Sequence, residues 1–215
     1  MQRTREWFDA RLGRVTASRV ADVIARTKTG YSAKRKDYLW DLVVERLTRE
    51  PTTTFETHQM RWGMDTEPLA RAAYEAQTGA LVEETGFVLH PSIKDAGASP
   101  DGLIGDDGLV EIKCPTTATH LQTMANDGVD ERYIPQMMWQ MACTQRAWCD
   151  FVSFDPRVEE PLSFFTVRVH RNDTTVRLME SEVVEFLAAV DDAVRAIRKR
   201  IVAHPVTLQP DLVQV

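Results

Sequence analysis

The chain has 215 residues, of which 43% are hydrophobic and 27% charged; this suits one ordinary globular domain with a full core, and no repeat or low-complexity tract interrupts it. The net charge of −6 by itself argues against a nucleic-acid partner, unless a basic groove is segregated within an acidic exterior. No apolar run approaches the length of a membrane span, and Met1 to Arg5 lead into Glu6 rather than an apolar signal core, so the expectation is a soluble protein.

Helical patterns cover about residues 5–12, 17–25, 33–47 and 57–77. Strand patterns follow near 81–83, 87–90, 96–99 and 109–114, then helices at about 118–125 and 133–144, strands at 149–154 and 163–170, and a last helix from about 174 to 201. The class is therefore α/β, a mixed central sheet flanked by helices, with one domain over residues 1–203 and a Pro-punctuated tail at 204–215. Cys114, Cys143 and Cys149 have no C-x-x-C spacing; they read as reduced, packed thiols of a cytoplasmic protein and are too few for an iron–sulfur cluster.

The richest stretch is ASPDGLIGDDGLVEIKC, residues 98–114. Glu111 and Lys113 are two apart in an apolar strand, so a carboxylate and an ammonium emerge on one face while Val110, Ile112 and Cys114 take the other. Gly105-Asp106-Asp107-Gly108 has turn chemistry, and the resulting hairpin brings Asp101 alongside Glu111. Two carboxylates at a strand pair suit a hard cation such as Mg²⁺, with Lys113 close enough to a phosphate to orient water and offset charge, which is the order and spacing of a metal-dependent nuclease. An isolated Glu-x-Lys is otherwise a common solvated strand face, but the apolar setting and the preceding Ser99-Pro100-Asp101-Gly102 weigh against that reading here. Glu67 stands directly before Pro68, a residue that favours the first turn of a helix, and so reads as a cap or first-turn acid as readily as a ligand.

These residues resemble the phage lambda exonuclease, or YqaJ-type viral recombinase, family. The likeness extends to Trp7-Phe8-Asp9-Ala10-Arg11-Leu12-Gly13 with Val15-Thr16-Ala17-Ser18, to Trp62-Gly63 with Glu67, to Tyr133-Ile134-Pro135-Gln136 and to Phe154-Asp155-Pro156-Arg157. The resemblance implies a restriction-endonuclease-like core and a processive, Mg²⁺-dependent exonuclease, with Mn²⁺ able to substitute, that degrades duplex DNA from its 5′ ends. It further implies a ring-shaped homotrimer and a single-strand annealing protein that receives the 3′ tails for recombination. By position in the motifs, Glu67, Asp101, Glu111 and the Ile112 carbonyl would hold two ions, and Arg11, Ser18, Ser99 and Gln136, with Tyr133, would form a pocket for the terminal 5′-phosphate. Singly, each of these last residues has a structural reading as a surface ion pair, cap, turn or exposed helix residue. Met60 stands where the family has an apolar wedge that parts the end base pairs.

Arg26, Lys28, Lys34, Arg35 and Lys36 read either as a loop reaching the DNA backbone, with Lys28 as its contact, or as a solvated loop. Trp40, Trp139 and Trp148 read as core, and the five histidines show no ligand spacing. Val183, Leu187, Val190, Val194, Ile197 and Ile201 form a narrow apolar stripe that packs on its own domain or in part on a neighbour. A sequence-specific endonuclease of the restriction class is the alternative function, and a non-catalytic DNA-end-binding module a weaker third. No G-x-x-x-x-G-K-[ST] loop is present, so movement along DNA would not draw on ATP.

Overall fold

The computed structural model describes residues 2–52 and 57–203, with the side chains of 201–203 left aside; the tail at 204–215 lies outside the described residues. The elements in chain order are α1 (Arg5–Arg11), β1 (Val15–Thr16), a 3-10 turn (Ala17–Arg19), α2 (Val20–Ile24), β2 (Arg26–Thr27), β3 (Gly30–Tyr31), α3 (Ala33–Thr48), α4 (His58–Thr78), β4 (Val82–Glu83), β5 (Val88–Leu89) and β6 (Ala96–Ala98). They continue with β7 (Gly102–Ile104), β8 (Gly108–Lys113), α5 (Thr117–Ala125), a 3-10 turn (Glu131–Tyr133), α6 (Ile134–Thr144), β9 (Trp148–Phe154), β10 (Phe164–His170) and α7 (Asp173–Ala203).

The central sheet has the order β10-β9-β8-β7-β4; β8 and β9 run parallel and the other pairs antiparallel. It is the expected mixed sheet. A smaller sheet, β1-β6-β5, stands beside it, and β2 pairs with β3 as a hairpin. Among the described residues no helix is long and apolar enough to cross a membrane.

Strand alternation in β8 decides where the chemistry lies. Val110, Ile112 and Cys114 enter an apolar cluster with Ala70 and Tyr74 of α4, whereas Leu109 joins the larger cluster formed with α2, α3, α6 and α7. Glu111 and Lys113 share Leu109's face, so they point toward α6. The β7–β8 turn uses Gly105 at φ 50°, a left-handed conformation that favours glycine. Gly102, next to Asp101, has a different constraint: a Cβ there would lie 2.1 Å from Cγ1 of Val82, so β4 can pack only on a glycine.

Three expectations change. Glu67 is not in a first turn, because α4 begins at His58, capped by the Thr57 hydroxyl that accepts from the Met60 N–H, and Pro68 lies inside the helix. Trp40 is 46% exposed rather than core, because α3 turns Arg35, Tyr38, Leu42 and Val43 inward and leaves Trp40 on another face. The basic stretch after Ala25 is no open loop: Arg26, Tyr31 and Arg35 all bind Glu182 of α7, and Arg35 is buried. Lys28 sits at the exposed hairpin tip without an ion pair among the described residues. From Val183 to Ile197 the α7 stripe packs inward as the first of its two readings has it, Val183 and Val190 being fully buried, while the side chain of Ile201 lies outside the described residues.

Candidate active site

Asp101 and Glu111 meet across the β7–β8 hairpin. Asp101 Oδ2 accepts from the Ile112 N–H at 2.7 Å, which fixes the aspartate against the strand that carries Glu111. Glu111 is fully buried, and its charge is met from two sides. Lys113 Nζ and the Gln136 amide each lie 2.5 Å from Oε1, and Gln140 donates to Oε2 at 2.6 Å. Burial, reinforced by the charge of Glu111, pushes the Asp101 carboxyl well above its ordinary range. For Lys113 burial works the other way but is outweighed by Glu111 and Asp101, so the ammonium is held charged more firmly than usual. Tyr133 covers it, with Nζ 5.1 Å from the ring centre.

Asp101, Glu111, Lys113, Ile112, Tyr133 and Gln136 line one cleft of about 460 Å³, together with Glu67 on the facing wall. Glu67 is held by Arg3 and Arg71, each at 2.9 Å, yet it is near enough to contribute to the rise in the Asp101 pKa. Among the described residues no three His, Cys, Asp or Glu side chains are gathered tightly enough to form a finished cation cage. The donors present are nevertheless all hard oxygens, and the crowding of Asp101 against Glu111 is what a divalent ion would relieve. A magnesium site with two protein carboxylates, the remaining positions left to water and phosphate, fits this donor set.

A second recess of about 340 Å³ adjoins the cleft, and Trp7 and Met60 belong to the walls of both. It is lined by Arg11, Arg14, Ser18 and Arg19. Arg11 stacks over Trp7 at 4.1 Å and donates to Ser99 Oγ at 3.3 Å, while the Trp7 indole donates to the same oxygen at 2.9 Å. Burial lowers the Arg11 pKa, but from a value so high that the guanidinium stays charged. With two donors on its oxygen, the Ser99 hydroxyl keeps its proton for another acceptor. Ser18 is exposed and Met60 is 51% exposed, both available to a ligand.

Arg11, Ser18 and Ser99 are thus brought together, whereas Gln136 and Tyr133 stand in the cleft, Gln136 against Glu111. Sequence reading missed Gln140, Arg3 and Arg71. Gln140 had a visible signal in its spacing of one helical turn from Gln136, as had Arg71 in standing four residues after Glu67.

The sequence model of the YqaJ-like viral recombinase domain matches residues 6–147. The chain belongs to the YqaJ-like viral recombinase family. It has that nuclease family's restriction-endonuclease-like fold. The crystal structure of an alkaline exonuclease, LHK-Exo, from Laribacter hongkongensis superimposes with a TM-score of 0.87 at 45% identity, covering 93% of this chain and 99% of that one. The structure of LHK-Exo in complex with dAMP matches with the same TM-score and coverage at 46% identity. A phage related exonuclease from Haemophilus somnus 129PT, 14% identical, has a TM-score of 0.68 over 86% of this chain and 96% of that one, and shares the fold. A search of curated protein sequences returns no match.

Proposed function

We propose that this YqaJ-family chain is a Mg²⁺-dependent exonuclease that degrades one strand of linear duplex DNA from its 5′ end and leaves a 3′ single strand for recombination. The observation that carries this reading is the common wall of Trp7 and Met60, which sets an arginine-lined recess for a terminal phosphate next to the carboxylate cleft. An endonuclease has no need of such a recess. The likeness to an alkaline exonuclease over nearly the whole chain supports the same activity.

Held by Asp101, Glu111 and the Ile112 carbonyl, with Glu67 beside them, Mg²⁺ would supply charge stabilisation at the scissile phosphate and an activated water, and Mn²⁺ would serve in its place. Lys113, kept protonated by its two carboxylate neighbours, orients the attacking water and offsets charge developing on phosphate oxygens. Arg11, Ser18 and Ser99 grip the terminal 5′-phosphate, with Gln136 and Tyr133 lining its approach to the cleft. Met60 stands between recess and cleft as an apolar wedge against the last base pair. After each cut the attraction of Arg11 for the newly exposed phosphate favours forward movement, and a ring of three chains would keep the enzyme on its substrate. Lys28 touches the backbone, and the 3′ strand passes to an annealing protein.

Linear duplex labelled at either the 5′ or the 3′ end, with a closed circle as control, tests the reading in the presence of Mg²⁺. Immediate release of 5′ label, delayed release of 3′ label and an intact circle are expected. Cutting of the circle would favour a restriction-type endonuclease, and no metal-dependent cutting of any substrate would leave only an end-binding module.

A further inference from the structure

Gln140 has no place in the cleft, yet it makes the only hydrogen bond to the inner oxygen of Glu111 seen among the described residues. It is fully buried in α6 between Trp139 and Met141, themselves fully buried, where an apolar side chain would be the ordinary occupant. Its own Oε1 has no hydrogen-bond partner among the described residues. The amide could not be turned to relieve this, because the carbonyl would then face the Glu111 carboxylate oxygen. The fold thus tolerates an orphaned buried carbonyl in order to aim an N–H at Glu111.

The contrast with Gln136 shows what that aim accomplishes. Gln136 and Lys113 reach the outer oxygen and line the cleft, so both can yield to an incoming ligand. Gln140 lies one helical turn deeper and holds the oxygen that faces away. We propose that Gln140 is a positioning residue that acts through Glu111, pinning the inner carboxylate oxygen so that the outer one is presented to the cleft in a single orientation. The inference rests on the reading of Glu111 as a metal ligand and adds the residue that orients it. Groups of this kind, which touch the ligand and not the metal, typically set affinity or activity by about 10–100-fold.

The test uses Gln140→Met, which keeps side-chain length and removes both polar atoms, with Gln140→Leu as a second variant. Four quantities are read beside wild type: Mg²⁺ affinity by calorimetry without DNA, kcat and KM on linear duplex, and Tm in metal-free buffer. Expected are Mg²⁺ affinity and kcat each lowered by roughly 10–100-fold, KM for DNA little changed, and only a modest change in Tm, because removing the orphaned carbonyl offsets part of the cost of leaving the inner Glu111 oxygen without its donor. Wild-type Mg²⁺ affinity and kcat in a folded variant would overturn the proposal. So would a large fall in Tm in both variants, which would make Gln140 a structural residue. If wild type itself neither binds Mg²⁺ nor cuts DNA, the reading of Glu111 as a ligand fails instead.

Discussion

Two neighbouring regions of the central sheet bury carboxylates in opposite ways. On β9 and just beyond it, Asp150 and Asp155 are each gripped by both ends of a guanidinium, Arg168 at 2.7 and 2.9 Å and Arg157 at 2.7 and 2.9 Å. Tyr74 adds a third bond to Asp150 at 2.7 Å. On β8, Glu111 is equally buried but is met by two amides and an ammonium, and one of its oxygens faces a cleft. A bidentate arginine closes a carboxylate off, because the planar fork leaves little room for another ligand. Amides neutralise less, and Gln136 and Lys113 at the outer oxygen can yield to a ligand, so Glu111 stays available. Burial of an acid is therefore no guide to its role until its partners are known.

The sharpest way to break this contrast is to truncate one acid of each kind. Glu111→Ala and Asp101→Ala should abolish Mg²⁺-dependent cleavage while circular dichroism shows a folded chain. Asp150→Ala should retain cleavage but lose about 2 kcal/mol of stability in denaturant unfolding, a discounted figure because Arg168 is 46% exposed and can turn to water. Loss of activity in a folded Asp150→Ala, or robust turnover by either cleft variant, would erase the distinction. Lys113→Ala comes next, with kcat lowered by roughly 10²–10³-fold for the lost charge at the phosphate. A loss of less than tenfold would remove Lys113 from the chemistry.

Acid titration sharpens the closed side of the comparison. Burial alone would raise the Asp155 pKa, but hydrogen bonds from Arg157 and Thr117 overcome it and bring it down to about 2. The folded-state value lies below the unfolded one, so its stabilisation is complete above about pH 4 and lost as pH falls toward 2. Arg157→Ala should destabilise the protein at neutral pH by at most roughly 2 kcal/mol, and less if the exposed arginine is well screened, with the difference from wild type shrinking across that window. A difference constant from pH 6 to pH 2 would assign the effect to packing of Arg157 on Trp62, 4.3 Å from the ring centre, instead of to charge.

The smallest expected effect concerns the hairpin. Neutralising Lys28 and Lys34 should flatten the salt dependence of DNA binding by about 0.9 per lost phosphate contact. Arg35 is to be left alone, since it is buried against Glu182 and its loss would loosen the hairpin. An unchanged slope would return the hairpin to an ordinary solvated one.

That last exclusion illustrates what was legible in the sequence. Period-two alternation at residues 109–114 and turn chemistry at 105–108 act locally, and they located the β7–β8 hairpin with Glu111 and Lys113 on one face. The roles of Arg35 and Arg3 depend on partners that local pattern does not reach, Glu182 lying 147 residues from Arg35 and Glu67 lying 64 from Arg3. Trp40 was misplaced for a related reason. An aromatic in a helical run looks like core until the inward face of the helix is known, and that face is chosen by Tyr38 and Leu42 packing with α7.

The central claim, that cleft and recess work as one end-directed site, is tested most directly by degradation rates on linear duplexes bearing a 5′-phosphate or a 5′-hydroxyl. Wild type should prefer the phosphate, and Arg11→Ala should lose most of that preference, about 1.5–3 kcal/mol for a charge-assisted contact. Equal rates for wild type on both ends, or full phosphate preference in Arg11→Ala, would contradict it.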